Sequence, residues 1–210
     1  MSEKRIAIII LAAGAASRMG RPKQLLKFEG ETLLRRAARA ALETGQRPIV
    51  VVLGSQANAL LDELASLDVL SVVNQSWQEG MSSSIRCGLE RALAASVTHD
   101  EIEAALLMLC DQPLVTSDVL RRLVDAHRIG PATLVAAEYE AGNEKTLGVP
   151  AIFSRALFPE LMVLNGAEGA KRIIARHRTE TLVIPVPEAA FDIDTPADYR
   201  TLRKRESLKS

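Results

Sequence analysis

The residues of this chain that are best suited to chemistry on phosphate groups lie in one loop near its amino terminus. The loop runs from Leu11 to Lys23 and reads LAAGAASRMGRPK. Its small residues let the backbone approach a ligand closely, and Arg18 and Lys23 add fixed positive charge. It follows residues 6–11, IAIIIL, an apolar run typical of a strand buried on both faces of a mostly parallel sheet. Because open α/β sheets bind ligands beyond the carboxyl ends of their strands, the sequence predicts a polyphosphate site in this loop.

Two well-known phosphate loops do not match this one. The Walker loop ends in Gly-Lys followed by Ser or Thr, whereas Gly20 is followed by Arg-Pro-Lys. The dinucleotide fingerprint Gly-x-Gly-x-x-Gly is broken after Gly14 by two alanines. An ordinary glycine-containing turn is the structural alternative, and the combination of small residues with Arg and Lys favours phosphate binding over it.

A carboxylate that could act on the same ligand follows a second apolar run, residues 104–109 (AALLML). Asp111 stands just beyond this run, and Pro113 then ends the strand. A turn-forming aspartate before proline is the plain alternative. The position after a strand favours a functional role, because it predicts that Asp111 lies at the same sheet edge as the first loop.

A second candidate carboxylate lies in residues 191–198, FDIDTPAD. Thr195 or Asp194 could cap a helix that begins with Pro196, so capping alone could account for one acid. The other acids of the segment remain for different work. Since Mg²⁺ is held in proteins by one or two carboxylates, Asp111 and Asp194 are the pair that we expect to hold it.

A glycine and three serines in residues 79–84, EGMSSS, precede a predicted helix. Such a segment supplies caps, backbone donors and the positive end of the helix dipole, which suit either a bound ligand or a well-capped turn. Trp77 is the only tryptophan, and we expect it to be a packing anchor rather than a stacking platform.

Composition limits the class of protein. With 210 residues and 48% hydrophobic residues, the chain fits one domain spanning 1–210, with its core in about 5–200. Lys and Arg number 26, as do Asp and Glu, so no charge excess favours binding to nucleic acid or to a membrane. Cys87 and Cys110 are too few for a disulfide framework, and no signal peptide or membrane span is recognisable, so the expected location is cytoplasmic.

Apolar runs alternate with helical patterns along the chain, which predicts an α/β fold with helices on both faces of a mostly parallel sheet. The predicted strands are 6–11, 48–53, 69–73, 104–109, 133–138 and 181–184. The predicted helices are 31–42, about 55–67, 83–95, 118–128 with a cap at Ser117, 154–161, one opening near 165–171, and one that begins at Pro196. Residues 141–148 are expected to form a polar loop that could cover a substrate, and 203–210 a frayed terminus.

Taken in chain order, these segments resemble the MobA/MocA-like nucleotidyltransferases, most closely the molybdopterin cytidylyltransferase branch. The resemblance spans about residues 5–200. It rests on the first loop together with EGMSSS at 79–84, CDQP at 110–113, GVPAIF at 148–153 and DIDTP at 192–196. It implies a three-layer, Rossmann-like fold of the nucleotide-diphospho-sugar transferase type.

The resemblance also implies an activity: transfer of a nucleoside monophosphate from a triphosphate to a phosphorylated acceptor such as molybdopterin, with Mg²⁺ as cofactor and release of pyrophosphate. A molybdenum-enzyme apoprotein is a candidate partner, and a monomer or weak dimer is expected. The implied nucleotide-binding residues are Leu11, Ala12, Ala13, Gly14, Arg18, Lys23, Gly80, Met81, Ser82 and Ser83. Lys23, Arg18 and Asp111 are the implied catalytic residues, Asp111 and Asp194 hold the metal, and Gly148, Pro150, Glu168, Gly169 and Lys171 face the acceptor.

Departures from the family pattern bear on the substrates. Val149 stands where many relatives have His, and residues 165–169, NGAEG, replace a commoner Gly-Asp-x-Gly, which leaves the acceptor open. Ala13 stands where guanine-using relatives commonly have Gly, so CTP is favoured. A sugar phosphate or another small phosphate is an alternative acceptor. A non-catalytic, nucleotide-binding maturation partner of a molybdenum enzyme is an alternative of another class, against which the two retained acids argue.

Overall fold

The computed structural model describes residues 5–14, 20, 22–95, 102–130, 132–142, 144–167 and 169–207. Two residues that the sequence assigns to the site, Arg18 and Glu168, lie outside these ranges.

A seven-stranded sheet forms the centre of the fold, in the strand order β5-β4-β1-β6-β8-β7-β9. All neighbouring pairs are parallel except those of β8, which runs antiparallel to β6 and β7. The strands are β1 Arg5–Ala12, β2 Lys27–Phe28, β3 Glu31–Thr32, β4 Ile49–Leu53, β5 Leu70–Val73, β6 Ile102–Leu109, β7 Leu134–Ala141, β8 Glu144–Ser154 and β9 Thr181–Pro185, of which β2 and β3 form a separate hairpin.

Helices cover both faces of this sheet. They are α1 Leu33–Leu42, α2 Ala57–Leu64, α3 Met81–Ala94, α4 Ser117–Ile129, α5 Phe158–Met162, α6 Lys171–Arg176 and α7 Pro196–Ser207. Alternate residues of β1 enter opposite cores: Ile8 and Ile10 pack in the cluster that contains α1, α2 and α4, whereas Ile9 packs with α3, α5 and α6. The continuous apolar strand is therefore buried on both faces, and the predicted three-layer α/β/α, Rossmann-like class is confirmed.

Several predicted boundaries were wrong for identifiable reasons. The covering loop predicted at 141–148 is wrong, because Ala141 ends β7 and residues 144–148 belong to β8, with Glu138 paired to Leu147 and Glu140 to Lys145. Asn143 lies outside the described residues. Ser117 lies inside α4 rather than capping it, and its hydroxyl donates to Glu43 Oε2 at 2.9 Å. Residues 203–207, which were predicted to belong to a frayed terminus, form the end of a helix that runs to Ser207.

Two further features of the fold concern the packing of α7 and the length of the helices. The carboxylate of Glu206 in α7 accepts a hydrogen bond from the backbone N–H of Glu29 at 2.7 Å, so α7 packs back onto the β2–β3 hairpin. Within the described part of the chain, the helices are either too short or too polar to cross a membrane.

Candidate functional site

The carboxyl ends of β1 and β6 bring the first loop and the Asp111 segment together. These strands are parallel neighbours in which Leu11 pairs with Leu109, and the backbone N–H of Cys110 donates to Leu11 O at 3.3 Å. The chain therefore leaves both strands at the same sheet edge, as the sequence predicts for parallel strands.

Lys23 joins the two predicted carboxylates. It begins a 3-10 turn, Lys23–Leu25, and its Nζ donates hydrogen bonds to Asp111 Oδ2 and, at 2.9 Å, to Asp194 Oδ1. The side chains of Lys23 and Asp111 are 16% and 14% exposed, whereas that of Asp194 is 56% exposed. Burial alone would lower the pKa of Lys23, but the charges and hydrogen bonds of Asp111 and Asp194 outweigh it and raise the pKa above its usual value. Lys23 is therefore protonated at neutral pH.

Asp194 is available for this contact because a different pair caps α7. Asp198 Oδ2 accepts from the backbone N–H of Thr195 at 2.7 Å, and Thr195 Oγ1 accepts from the backbone N–H of Asp198 at 3.3 Å. This reciprocal arrangement is a capping box. Of the two caps that the sequence leaves open, Thr195 is the one used.

A cleft of about 290 Å³ opens beside Lys23 and Asp111. Its walls come from the ends of β1 and β6, from the turn after β5 and from the start of α3. The lining residues are Leu11, Ala12, Ala13, Gly14, Lys23, Gln24, Trp77, Gln78, Gly80, Met81, Ser84, Leu109, Cys110 and Asp111. Eight of the residues that the sequence assigns to nucleotide binding or catalysis thus share one cleft.

Ser82 and Ser83, which the sequence also assigns to nucleotide binding, do not line this cleft. Ser82 is fully buried, and the hydroxyl of Ser83 lies 2.9 Å from Ser76 O and 2.8 Å from Gly80 O. The buried amide of Asn74 donates to the hydroxyls of Ser83 and Ser84 at 2.8 and 3.0 Å. The serines therefore shape the start of α3, and Ser84 is the one that reaches the cleft wall.

Gln24 is a site residue that the sequence analysis missed. Its side chain is buried, and Nε2 donates to Ala12 O at 2.8 Å and to Gly14 O at 3.0 Å. These bonds fix the backbone at the start of the first loop. The triplet Pro22-Lys23-Gln24 is the sequence signal that could have pointed to Gln24. The sequence does not show which carbonyl oxygens its amide would bind.

Of the residues assigned to the acceptor, the four that the structure describes, Gly148, Pro150, Gly169 and Lys171, are not in the cleft lining. Gly148 and Pro150 are buried in β8, and Lys171 is exposed at the start of α6. Gly169 packs against Met81, whose Sδ lies 2.8 Å from the place that a Cβ on Gly169 would occupy.

Glycines let the start of α3 approach the neighbouring chain segments closely. Gly80 has a φ of +106°, and a Cβ there would lie 2.8 Å from Gly166 O. At Gly148 a Cβ would lie 2.3 Å from the hydroxyl oxygen of Tyr139, so only glycine leaves room for that ring. Gly80 therefore lets the cleft wall pack against the loop before α6, and Gly148 leaves space for the Tyr139 ring in the β7–β8 hairpin.

A second polar cluster lies behind Asp111, around the buried side chain of Gln112. Nε2 of Gln112 lies 2.9 Å from Ala189 O, 3.3 Å from Asp192 Oδ1 and 3.5 Å from Val149 O. The pKa of Asp192 is raised by burial and by the negative charge of Asp111, and burial together with the charge of Asp192 raises the pKa of Tyr139.

The donor set fits a hard divalent cation. Asp111 Oδ1 is buried and has no hydrogen-bond partner among the described residues, while Asp111 Oδ2 and Asp194 Oδ1 converge on one nitrogen. Carboxylate oxygens are the ligands that Mg²⁺ and Mn²⁺ accept. Among the residues described, no group of three or more His, Cys, Asp or Glu side chains could hold a metal ion by itself.

Comparison with known proteins shows the family to which the chain belongs. The pattern of the MobA-like NTP transferase domain matches residues 8–181. Nicotine blue oxidoreductase from Paenarthrobacter nicotinovorans is 32% identical over 174 residues, 81% of each chain. Molybdenum cofactor cytidylyltransferase from Escherichia coli (strain K12) is 25% identical over 198 residues, 94% of this chain and 95% of that protein.

Solved structures agree with the family match. The crystal structure of Rv0371c from Mycobacterium tuberculosis H37Rv superposes with a TM-score of 0.79 at 31% identity, covering 97% of this chain and all of the other. A crystal structure of Rv0371c in complex with manganese, 29% identical, superposes with a TM-score of 0.72 and covers 96% of this chain and 99% of the other. The chain therefore belongs to the MobA-like NTP transferase domain family, a family of nucleotidyltransferases.

Proposed function

We propose that this protein transfers a nucleoside monophosphate from a nucleoside triphosphate, preferably CTP, to a phosphorylated acceptor of the molybdopterin type, in a metal-dependent reaction that releases pyrophosphate. One observation carries the proposal: Lys23 contacts both Asp111 and Asp194 beside the cleft lined by the first loop. Binding a triphosphate requires a cation, a pair of acids that can hold a divalent metal ion, and a backbone of small residues that can approach the phosphates closely.

The roles of the residues follow from their chemistry. Lys23 neutralises phosphate oxygens, and we assign the same role to Arg18, which lies outside the described residues. Asp111 and Asp194 would hold Mg²⁺ or Mn²⁺, which supplies charge neutralisation and alignment of the phosphates when bound. Backbone groups from Leu11 to Gly14 would contact the nucleotide. Gln24 holds this backbone through its hydrogen bonds to Ala12 O and Gly14 O.

Two further expectations rest on position. Gly80, Met81, Ser82 and Ser83 would shape the pocket for base and ribose, with the hydroxyls of Ser82 and Ser83 acting through the fold rather than through the ligand. Gly148, Pro150, Glu168, Gly169 and Lys171 would form the acceptor side. The name of the Escherichia coli relative supports molybdenum cofactor as the class of acceptor. Manganese in the Rv0371c complex supports a divalent ion.

A second candidate function comes from the relative named nicotine blue oxidoreductase, which is 32% identical. A protein of this similarity with an oxidoreductase name makes reduction of an organic acceptor worth a direct assay. The Lys23–Asp111–Asp194 arrangement favours the transferase, because the two carboxylates could hold a divalent metal ion that, together with Lys23, would neutralise phosphate charge.

A screen for pyrophosphate release tests the proposal. CTP, GTP, ATP and UTP would each be incubated with Mg²⁺ or Mn²⁺ and with molybdopterin or a panel of sugar phosphates, and nicotinamide cofactor oxidation would be followed in parallel. We expect release with CTP and molybdopterin, loss of it in Asp111→Asn, and retention in Asp118→Asn, a control at an exposed acid of α4. Cofactor oxidation without pyrophosphate release would contradict the proposal.

A further inference from the structure

Gln112 occupies a position between the two acidic segments of the site. It directly follows Asp111 at the end of β6, and its side chain is only 4% exposed. A buried primary amide is costly unless its hydrogen bonds are made. The partners of this amide therefore indicate what it holds in place.

The acceptors around Gln112 Nε2 come from separate parts of the chain. Ala189 O, at 2.9 Å, belongs to the 3-10 turn Pro187–Ala190, and Asp192 Oδ1, at 3.3 Å, belongs to the acidic segment that follows it. Val149 O in β8 is more distant, at 3.5 Å. An amide has two hydrogens, so the two nearer acceptors use its full donor capacity. The reverse orientation of the amide would put its oxygen against two carbonyls and a carboxylate, so the chemistry fixes which end is the donor.

The acidic segment is also held at Ile193. The backbone N–H of Ile193 donates to Asp111 O at 3.0 Å. The side chain of Ile193 is fully buried in the apolar cluster that contains Leu26 and Phe28, close in sequence to Lys23. Asp194 follows directly, and its carboxylate is 56% exposed and accepts a hydrogen bond from Lys23 at 2.9 Å. Apart from that contact, the position of Asp194 depends on how firmly the segment from Ala189 to Ile193 is held.

We propose that Gln112 is a positioning residue: its buried amide holds the segment of Asp192 and Asp194 against the end of β6, and so sets where the Asp194 carboxylate lies relative to Asp111. Gln112 acts through the other residues and does not touch substrate. The proposal rests on the proposed function only in assigning Asp111 and Asp194 to a metal ion. The claim that the Gln112 amide holds the segment of Asp192 and Asp194 in place depends only on the observed hydrogen bonds.

Three variants separate this role from general stability. Gln112→Met keeps the length of the side chain and removes the donor. Gln112→Glu keeps its shape but places a carboxylate against Asp192 and two carbonyl oxygens. Gln46→Met is the matched control, because Gln46 is also a buried glutamine, 9% exposed, but precedes β4 at the opposite edge of the sheet, where it accepts from Arg128 at 3.2 Å.

Two measurements on the full chain decide the matter. Hydrogen exchange reports the opening of the Ile193 amide, and electron paramagnetic resonance gives the affinity for Mn²⁺ in the presence of CTP. In both Gln112 variants we expect faster Ile193 exchange than in Gln46→Met of equal global stability. We also expect a loss of Mn²⁺ affinity of about 10- to 100-fold, the usual effect of removing a group that orients a metal ligand. Gln46→Met should keep its Mn²⁺ affinity.

Unchanged Ile193 exchange in Gln112→Met would overturn the proposal, and so would unchanged Mn²⁺ affinity. If Gln112→Met does not fold, Gln112→Asn, whose side chain is one methylene shorter and so withdraws the donor from Ala189 O and Asp192 Oδ1, gives the same comparison. Failure of the unmodified protein to bind Mn²⁺ would count against the proposed function instead, and the exchange of Ile193 would then decide the role of Gln112 by itself.

Discussion

The ammonium group of Lys23 donates hydrogen bonds to the carboxylates of both Asp111 and Asp194, although these residues are 88 and 171 positions away from it in the sequence. The three side chains meet because β1 and β6 end side by side and because Ile193 is bonded to the backbone of Asp111. A cation and two acids that share one point act as a unit. Variants of these residues are therefore expected to be interdependent.

Asp111→Asn and Asp194→Asn test this interdependence. The amide is nearly isosteric, so each variant should keep the fold, while loss of a preorganised electrostatic group lowers turnover by about 10²-fold or more. Asp194→Asn should be milder, because Asp194 is more exposed and Asp192 is near. The double variant should be much less damaged than the product of the two single effects. Steady-state kinetics of pyrophosphate release measure all three. Defects that multiply cleanly would show that the two acids do not act on one ion.

Ala13 is expected to contribute to base selection. It is 6% exposed in the cleft wall, and the backbone of Gly54 packs against it so closely that a Cβ on Gly54 would lie 2.3 Å from Ala13 O. If the base binds against Ala13, as the proposed function expects, the methyl group would narrow the room for a purine, and CTP should bind more tightly than GTP. Ala13→Gly should reduce that preference by about tenfold, the effect typical of one methyl group in a pocket. Competition titrations measure the ratio, and tighter binding of GTP by the unmodified protein would refute the assignment.

Gly80→Ala should destabilise the protein more than Gly142→Ala does. Both glycines have positive φ, +106° and +67°, so alanine at either position costs about 1–3 kcal/mol in backbone conformation. Of these two positions, only at Gly80 would the new Cβ also meet backbone, at 2.8 Å from Gly166 O, whereas at Gly142 no atom of the described, non-adjacent residues lies within 4 Å. Urea unfolding gives both free energies. Equal losses would show that the close approach of α3 to the loop before α6 is not a constraint.

The contribution of Glu160 to stability should depend on pH. His177 Nε2 lies 2.8 Å from Glu160 Oε1, and Arg176 donates to Glu160 Oε2 at 2.5 Å. The hydrogen bond to His177, together with Arg176, lowers the pKa of Glu160 below its usual 4.5. A carboxyl group with a lowered folded-state pKa stabilises the fold above its unfolded pKa, and this contribution is lost as the pH falls through the lowered value.

The comparison of the unmodified protein with Glu160→Gln measures this effect. The difference in free energy of unfolding should be roughly 0.2–1 kcal/mol at pH 7, since the pair lies near the surface, and should shrink as the pH falls below about 4.5. A difference that grows on acidification would mean that the ion pair is not its source.

The central strands could be predicted from the sequence because they carry their signal locally. Residues 6–11 and 49–53 are apolar and largely β-branched, and such runs are typical of strands buried on both faces. Asp111 could be placed at the site for the same reason, since it follows a strand. The hairpin of β7 and β8 was missed because Lys145 and Thr146 look like loop residues until their cross-strand partners, Glu140 and Tyr139, are known.

The supporting amides of the site could not be predicted. Gln24, Asn74 and Gln112 are buried, but their sequence neighbourhoods do not distinguish them from surface residues. Two of them bond backbone carbonyls that only the tertiary fold brings near, such as Ala12 O for Gln24 and Ala189 O for Gln112. Serines at the start of a helix are equally ambiguous. The structure shows Ser83 bonded within the fold, which composition alone does not indicate.

Calorimetric titration with nucleoside triphosphate in the presence of Mg²⁺ tests the central claim most directly, because it asks whether the cleft beside Lys23, Asp111 and Asp194 binds a triphosphate at all. We predict that the unmodified protein binds CTP, that Lys23→Met and Asp111→Asn bind it at least about tenfold more weakly, and that Asp118→Asn binds it normally. Failure of CTP, GTP, ATP and UTP alike to bind at about millimolar concentration, or equal binding by Lys23→Met, would contradict the account.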